Sequence, residues 1–329
     1  MYSANFDYYR AASLSEAVAL LASHPGAKLL AGGHSLLPQM KLRVAQPAAL
    51  VDIGRVAELR GIRHEGDRLI IGALTTHNTV ATSAVVREHC PVLAEAASLI
   101  GDQQVRNRGT IGGSIAHADP AADLPTVLLA LGATLTATGP SGGREIAAAQ
   151  FYTDLFTTSL AENEILTSLS VPAYGSAAAG AYAKHEHPAS GYAVVGAAVM
   201  LMVSGGQVTG AHIALGGATA NPVSASAAEA ALMGKALNAE TIAAAAAQAA
   251  AANRSDRGAR IPQAQLQRHD LHRQRVREEG HHRVDPRLEA ARLEDGRQEA
   301  GEERRALDAA RCAARVARGA LALGQGPRR

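Results

Sequence analysis

The sequence predicts a protein of the α+β class, with a larger N-terminal domain, a smaller C-terminal α/β domain and an atypical charged tail. Short apolar segments typical of strands alternate with helical segments over residues 1–175. Residues 176–252 begin with an apolar hairpin and continue into alanine-rich helices. Residues 253–329 are polar or charged on every helical face, so they offer no apolar stripe that would pack on a core. We therefore place a domain boundary near residue 175.

The first elements are predicted to be a strand, a helix and a strand. The capping box Ser13–Glu16 begins a helix that Pro25-Gly26 ends. The apolar segment Lys28–Ala31 then leads directly into Gly32-Gly33, and a second strand follows at Leu50–Ile53. This pattern indicates a small βαβ unit with a glycine turn at the carboxyl end of a strand.

The remaining elements follow from the same local patterns. A proline is well suited to the first position of a helix, where its missing N–H costs nothing, and apolar runs or alternation mark the strands. In the N-terminal domain we predict a strand at Arg68–Gly72, a helix at Pro91–Ile100, and strands at Thr134–Thr138 and Ile165–Val171. In the C-terminal domain we predict a hairpin of Ala193–Val203 and Val208–Leu215, and helices at Ser224–Leu232 and Ala239–Ala252.

The charge distribution separates the tail from the rest of the chain. The formal net charge of +2 combines −4 from residues 1–252 with +6 from residues 253–329, where 18 arginines and no lysine accompany 12 acidic residues. Interleaved acids and the absence of aromatic residues disfavour a nucleic-acid-binding arm, so we predict no nucleic-acid partner. The alternatives for this tail are a solvated helical or disordered segment and an out-of-frame extension in the gene.

The cysteine content restricts the possible cofactors. Cys90 and Cys312 are too few for an iron–sulfur cluster or a structural zinc site, which generally take four ligands. Any cluster that exchanges electrons with this protein would therefore belong to a partner chain. No apolar run reaches the roughly 18–20 residues that cross a bilayer, and the sequence does not begin with a basic and then apolar leader. These features predict a cytoplasmic protein without a transmembrane segment.

Two glycine-rich turns are the main candidates for a binding site. Glycine lets backbone N–H groups converge on an anion with no side chain in the way. The first turn is Ala31-Gly32-Gly33-His34-Ser35, and alone it is typical of a plain turn. The second is Thr110-Ile111-Gly112-Gly113-Ser114, within the stretch Gly101–His117, which we expect to be too polar and too glycine-rich for a core element and too long for an idle loop. Together the two turns suit a dinucleotide pyrophosphate held from both sides.

Other common sites lack their motifs. The G-x-G-x-x-G signature with a following acid and the P-loop are both absent, which disfavours nicotinamide dehydrogenases and nucleoside-triphosphate enzymes. His117, Asp119 and Asp123 have side chains that could ligate Mg²⁺ or Zn²⁺. The favoured interpretation is that the two acids cap turns or accept backbone or ribose hydrogen bonds, so we predict no metal. A serine hydrolase is disfavoured because no G-x-S-x-G elbow is present.

Both glycine turns resemble those of a known family. The segments Leu29–Gly54 and Gly101–Ala133, in this order and at this separation, resemble the FAD-binding medium subunit of the molybdenum hydroxylases, which include xanthine dehydrogenase and carbon monoxide dehydrogenase. The resemblance extends from about Met1 to Ala252. It implies bound FAD and a two-part FAD-binding domain of the vanillyl-alcohol-oxidase (PCMH) type, with its two subdomains divided near residues 55–60.

The resemblance also implies which residues contact FAD. The glycine turns would surround the pyrophosphate and ribityl chain, Asp123 would lie near the adenosine, and the backbone around Leu166 would lie near the adenine. Lys184 would reach the cofactor from the C-terminal domain. Tyr192 matches the aromatic position beside the isoalloxazine, and its alternative is a core tyrosine that leads into a strand. The predicted cofactor-binding residues are Ala31, Gly32, Gly33, His34, Ser35, Thr110, Ile111, Gly112, Gly113, Ser114, Asp123, Leu166, Lys184 and Tyr192.

The resemblance implies an electron-transfer role. In the resembled complexes a large molybdenum-cofactor subunit oxidises the substrate, a small subunit carries two [2Fe–2S] clusters, and the flavin delivers electrons to an external acceptor. Such a complex would be a dimer of heterotrimers. Two positions depart from the family pattern, since Ser114 replaces a common asparagine and Gly191 a common acid. The family's C-terminal helix is also not visible after residue 252.

Two other functions stay open. The first is a stand-alone flavin oxidase of a small alcohol or aldehyde, for which His185 and His187 are the nearest base candidates and could equally be surface residues. The second is a structural subunit whose flavin site has decayed.

Overall fold

The computed structural model describes residues 2–174, 178–217 and 219–255. The first layer is a small parallel sheet of β1 (Asp7–Arg10), β2 (Lys28–Leu30) and β3 (Ala49–Asp52), in the spatial order β1-β3-β2. Helix α1 (Leu14–Ser23) connects β1 to β2, and α2 (Leu36–Lys41) lies between β2 and β3. The first glycine turn therefore joins the carboxyl end of β2 to the beginning of α2.

The second layer is a five-stranded antiparallel sheet. Chain order from here gives β4 (Ile62–Glu65), β5 (Arg68–Gly72), β6 (Thr134–Gly139), β7 (Gly142–Ala147), the small hairpin strands β8 (Tyr152–Asp154) and β9 (Thr157–Thr158), and β10 (Ile165–Pro172). The sheet order is β4-β5-β10-β6-β7. The helices that connect β5 to β6 are α3 (His77–Thr82), α4 (Ala84–His89), α5 (Pro91–Ser98), α6 (Gln103–Arg108), α7 (Ile111–His117) and α8 (Asp123–Ala130), and α9 (Ala148–Phe151) follows β7.

The C-terminal part is an antiparallel sheet with helices on one face. Its strands are β11 (Ala178–Glu186), β12 (Ala193–Ser204), β13 (Gln207–Gly216) and β14 (Val223–Ser224), paired in chain order. Helices α10 (Ser226–Leu232) and α11 (Ala239–Ser255) follow, and Leu232 and Ala245 pack with Leu201 of β12. On the opposite face, Tyr182 and Met200 join the core formed by α5, α8 and the five-stranded sheet. Helices α5 and α8 are thus enclosed between two sheets.

Local sequence patterns predicted most of these elements. The Ser13 hydroxyl accepts a hydrogen bond from the Glu16 N–H at 3.2 Å and caps α1, which confirms the predicted start of that helix. Pro91 begins α5 as predicted. The predicted strands and the C-terminal hairpin and helices are also confirmed, with shifts of a few residues at their ends.

The prediction for the stretch Gly101–His117 was wrong in one respect. Instead of remaining outside the core, it folds into α6 and α7, and Ile111 and Ile115 are completely buried. The physical reason is a tertiary contact that local polarity does not reveal. The Ile111 N–H donates to the Thr75 carbonyl at 2.9 Å and the Gly112 N–H to the Ala73 carbonyl at 2.8 Å, so α7 is attached to the end of β5.

The positions of the sheets can be compared with the predicted divisions. The parallel sheet ends at Asp52 and the five-stranded sheet begins at Ile62, on either side of the predicted division at 55–60. The C-terminal sheet begins at Ala178. The tail predicted for 253–329 lies outside the described residues, apart from the end of α11. Across the parts of the chain that the structure describes, no helix has the length and apolar character needed to span a bilayer.

Candidate functional site

The two glycine turns lie against each other. A Cβ atom built on Gly32 would overlap the carbonyl oxygen of Arg108, the residue that precedes the Gly109–Gly113 segment, and would lie 3.0 Å from the Gly109 Cα. A Cβ on Gly113 would lie 3.9 Å from the Ala31 Cβ. The structure therefore brings together two segments that are about eighty residues apart in sequence. Only glycine at position 32 permits this approach.

The first turn offers backbone donors. Within the described residues, the N–H groups of positions 32–36 have no hydrogen-bond partner, and Gly33 adopts a φ of +74° that favours glycine. The side chain of His34 folds back, and its Nδ1–H donates to the Gly32 carbonyl at 2.9 Å. The Ser35 hydroxyl likewise makes no hydrogen bond to the described part of the chain. Since buried or half-buried N–H groups are normally paired, this row of donors is suited to an anionic ligand.

The second turn differs from the sequence expectation. It was expected to contribute free N–H groups, but those of residues 111–114 are used inside the protein. The Gly113 N–H donates to the Thr110 hydroxyl at 3.2 Å and the Ser114 N–H to the Thr110 carbonyl at 3.0 Å, because both belong to the first turn of α7. What this segment can still offer is the Ser114 hydroxyl and the Arg108 guanidinium, neither of which is bonded to a described residue.

A buried polar group that the sequence analysis missed lies beside both turns. Thr75 and His77, at the beginning of α3, are 3% and 4% exposed. The His77 N–H donates to the Gly109 carbonyl at 2.9 Å, and a Cβ on Gly109 would lie 2.8 Å from the His77 ring. The available sequence signal was the polar run Thr75-Thr76-His77-Asn78, which begins shortly after the end of the predicted strand Arg68–Gly72. This run resembles the first glycine turn in its position relative to a strand.

The electrostatic surroundings keep the His77 imidazole neutral. Its Nδ1 is completely buried and has no hydrogen-bond partner in the part of the chain that the structure describes. Burial, together with the positive charges that His34 and Arg106 can carry, lowers the pKa of His77 from 6.5 to about 4. The ring is therefore a neutral group at physiological pH.

This pKa predicts a pH dependence of folding stability. The pKa of His77 is near 6.5 in the unfolded chain and about 4 in the folded chain. Because the unfolded chain therefore binds the proton more tightly, lowering the pH through this interval decreases the free energy of unfolding, by about 3 kcal/mol in total. Urea unfolding of the FAD-free proteins measures this free energy at pH 7 and at pH 4. We expect its decrease between the two pH values to be about 3 kcal/mol smaller in His77→Gln than in wild type. His212→Gln, at an exposed histidine, serves as the control and should follow wild type. Parallel pH profiles for wild type and His77→Gln would contradict the assignment.

Asp123 and Lys184 lie together, bonded to each other. The Lys184 Nζ donates to the Asp123 Oδ2 at 3.1 Å and to the Leu99 carbonyl at 3.0 Å, and the Tyr182 hydroxyl donates to the Asp123 Oδ1 at 2.7 Å. The Lys184 side chain is only 4% exposed and the Asp123 side chain only 6%. Burial raises the pKa of Asp123, and the charge of Lys184 opposes that change. This cluster joins α8 to β11, so it connects the two halves of the molecule.

Leu166 and Tyr192 occupy different environments. Leu166 is buried in β10 opposite Ala137, and the following residue, Thr167, accepts a hydrogen bond from Ala73, which in turn binds Gly112. Tyr192 is 42% exposed in the loop between β11 and β12. Its neighbour Ala193 donates to the Ala121 carbonyl at 3.3 Å, so this loop adjoins the segment between α7 and α8. The exposure of Tyr192 argues against its alternative as a core residue.

Of the two acids that were predicted to cap turns, Asp119 does so, whereas Asp123 binds Tyr182 and Lys184 of β11 instead. The Asp119 Oδ1 accepts the Ala121 N–H at 2.9 Å, which is a turn-capping bond. The Gln39 side chain donates to His117 Nε2 at 3.4 Å, and burial lowers the pKa of His117. Among the described residues no group of three or more His, Cys, Asp or Glu side chains is placed to hold a metal ion.

The residues present fit a dinucleotide cofactor. The first turn supplies unpaired N–H groups and a free hydroxyl, Gly32 permits close approach of the second turn, and a buried imidazole nitrogen beside them lacks a partner. A pyrophosphate needs such donors on more than one side. The arrangement places a row of backbone donors of the first glycine turn beside helices α3, α6 and α7, where an anionic group can be bound.

Comparisons with known proteins identify the ligand class. The sequence profile of the FAD binding domain in molybdopterin dehydrogenase matches residues 4–174, and that of the CO dehydrogenase flavoprotein C-terminal domain matches residues 180–260. The carbon monoxide dehydrogenase medium chain of Hydrogenophaga pseudoflava is 44% identical over 243 residues, which cover 74% of this chain and 85% of that one. The glyceraldehyde dehydrogenase medium chain of Sulfolobus acidocaldarius is 37% identical over 74% of this chain and 86% of its own.

Solved structures agree with these matches. The carbon monoxide dehydrogenase structure from Hydrogenophaga pseudoflava superposes with a TM-score of 0.81 at 40% identity, covering 98% of this chain and 99% of that chain. Quinoline 2-oxidoreductase from Pseudomonas putida 86 gives a TM-score of 0.78 at 30% identity, covering 98% and 100%. The fold and site thus define an FAD-binding flavoprotein of the oxidoreductase class. Within that class, the chain belongs to the family of FAD-binding medium subunits of the molybdenum hydroxylases.

Proposed function

We propose that this chain is the electron-transfer subunit of a molybdenum hydroxylase complex and holds FAD between its two glycine turns. The observation that carries the proposal is the contact between the turns at Gly32 and Arg108, beside a row of unpaired N–H groups. In this proposal the domain is of the vanillyl-alcohol-oxidase (PCMH) type. The residues that contact FAD are those of Ala31–Ser35 and Thr110–Ser114 together with Asp123, Leu166, Lys184 and Tyr192.

The roles of these residues follow from what each still has to offer. The N–H groups of positions 32–36 would bind the pyrophosphate, with Ser35 and Ser114 donating from their hydroxyls. The N–H groups of 111–114 are already paired, so the second turn would act by shape and through Ser114. Asp123 and Lys184 would form the wall of the site as an ion pair, because most of their hydrogen-bonding capacity is already used. Bound FAD supplies the capacity to accept electrons and release them to an acceptor.

The proposed partners follow from the cysteine content and the relatives. Cys90 is buried and, with Cys312, cannot make a four-thiolate cluster, so a [2Fe–2S] small subunit would deliver the electrons. A large molybdenum-cofactor subunit would oxidise the substrate, and the complex would be a cytoplasmic dimer of heterotrimers. The relatives named as medium chains or medium subunits support this placement. We further propose that the charged tail, residues 253–329, is an out-of-frame extension in the gene. Sequencing the locus tests this, because an uninterrupted reading frame through the region would contradict it.

The test is to purify the full chain and record its visible spectrum before and after adding FAD. We expect the absorption bands of a bound flavin and a stoichiometry of about one FAD per chain. In the complex with its partner chains, substrate should reduce this flavin. In the isolated chain, small alcohols or aldehydes should leave the flavin oxidised. Turnover by the isolated chain would favour a stand-alone oxidase. A colourless chain that assembles with iron–sulfur and molybdenum subunits would favour a structural subunit with a decayed site.

A further inference from the structure

The His77 imidazole is buried, and one of its ring nitrogens has no hydrogen-bond partner among the described residues. His77 is only 4% exposed, and the nitrogen without a partner is the completely buried Nδ1. Leaving such a group unpaired is unfavourable, because it loses the hydrogen bonds that it makes with water in the unfolded chain. The ring is held in place, since the His77 N–H donates to the Gly109 carbonyl and the ring edge contacts Gly109. A ligand that bound between the turns would lie next to this ring.

The charges around His77 are all positive. His34 comes from the first turn and Arg106 from α6, and both disfavour a proton on the ring. On α6, Asp102 caps the helix by accepting the Val105 N–H, and Arg108 adds a further positive charge. Groups on α4 and α5 are engaged in other contacts. In α4, Arg87 donates to the Ala81 carbonyl and His89 lies 3.9 Å from Glu88, and in α5 Glu95 accepts the Tyr182 N–H. Within the described residues no acidic side chain acts on the imidazole.

We propose that His77 takes up one proton from solvent when the FAD pyrophosphate binds between the turns, so that cofactor binding and protonation of this residue are coupled. The inference rests on the proposed function. A pyrophosphate carries negative charge into a cluster of groups that are otherwise mutually repulsive, and an opposite charge nearby favours the protonated imidazole. Its oxygens are also acceptors for an imidazolium N–H, and Nδ1 has no acceptor among the described residues. The only bond formed is an N–H bond, and the proton comes from the buffer.

His77 is thus a positioning residue for the cofactor, and its effect can be separated from a structural one. A residue that only filled space would change the FAD affinity equally at all pH values. A residue that gains a proton on binding makes FAD bind more tightly as the pH falls, by up to tenfold per pH unit between its two pKa values.

The experiment is calorimetric titration of FAD into the deflavinated full chain at about pH 5.5, in two buffers with different ionisation enthalpies. We expect wild type to take up a substantial fraction of one proton per FAD bound, and His77→Gln to lose most of that uptake. His34→Gln should retain most of it. His77→Asn provides a second variant if the glutamine variant does not fold. As the pH is lowered from 7 to 5, the FAD dissociation constant of wild type should decrease. That of the His77 variants should change less.

The outcomes separate this inference from the proposed function. FAD binding by wild type with no proton uptake at about pH 5.5 would overturn the inference and leave FAD binding intact. Equal uptake by wild type and both His77 variants would also overturn it, because the proton would then reside elsewhere. No FAD binding by wild type would overturn the proposed function and this inference with it.

Discussion

Replacing Lys184 with methionine is expected to destabilise the folded protein by about 3–5 kcal/mol, because it leaves the Asp123 carboxylate buried without its ion-pair partner. The side chains of both residues are less than a tenth exposed, and together they join the two sheet-bearing halves of the molecule. Asp123→Asn should cost a similar amount, since it leaves the Lys184 ammonium buried with only the Leu99 carbonyl as a recorded acceptor. Urea unfolding of the full chain would measure both.

The double variant distinguishes an ion pair from two independent losses. If the two groups act on each other, Lys184→Met combined with Asp123→Asn should cost less than the sum of the single changes, by about 1–3 kcal/mol. Lys235→Met is the matched control, because Lys235 is exposed, and its effect should be within about 0.5 kcal/mol. Strict additivity, or a loss in Lys184→Met no greater than in the control, would show that the buried pair does not hold the halves together.

The sequence predicted the elements whose cause is local. A capping side chain at Ser13, a proline at the first position of α5 and the apolar alternation of β10 each act within a few residues, so their patterns are visible in the sequence. The family resemblance added the pairing of the two glycine turns, and their contact in the fold agrees with it.

The remaining features depend on contacts between distant segments. Helix α7 is buried because its N–H groups bind Ala73 and Thr75, and polarity within Gly101–His117 gives no sign of this. Asp123 and Lys184 are 61 residues apart, so their pairing follows only from the packing of α8 on β11. The His77 ring is buried, and it packs against Gly109 from a distant part of the sequence. No local pattern encodes such relations.

Gly32→Ala is expected to weaken FAD binding by about 10- to 100-fold, since overpacking at a tight contact costs about 1–3 kcal/mol. Gly32 does not have a positive φ, so alanine is compatible with its backbone conformation. The cost comes instead from the Cβ, which would overlap the Arg108 carbonyl and force the turns apart. The affinity is measured by titrating FAD into the deflavinated full chain.

Gly143→Ala is the matched control for this change. Gly143 is exposed, has no positive φ, and a Cβ there would lie 3.7 Å from its nearest neighbours, an ordinary contact. We expect this variant to bind FAD as wild type does, because it adds the same methyl group away from the turns. The comparison therefore isolates the close approach of the two backbones as the reason for glycine at position 32. Equal affinities in the two variants would mean that the turns need not touch for FAD to bind, and their contact would lose its role in the proposed function.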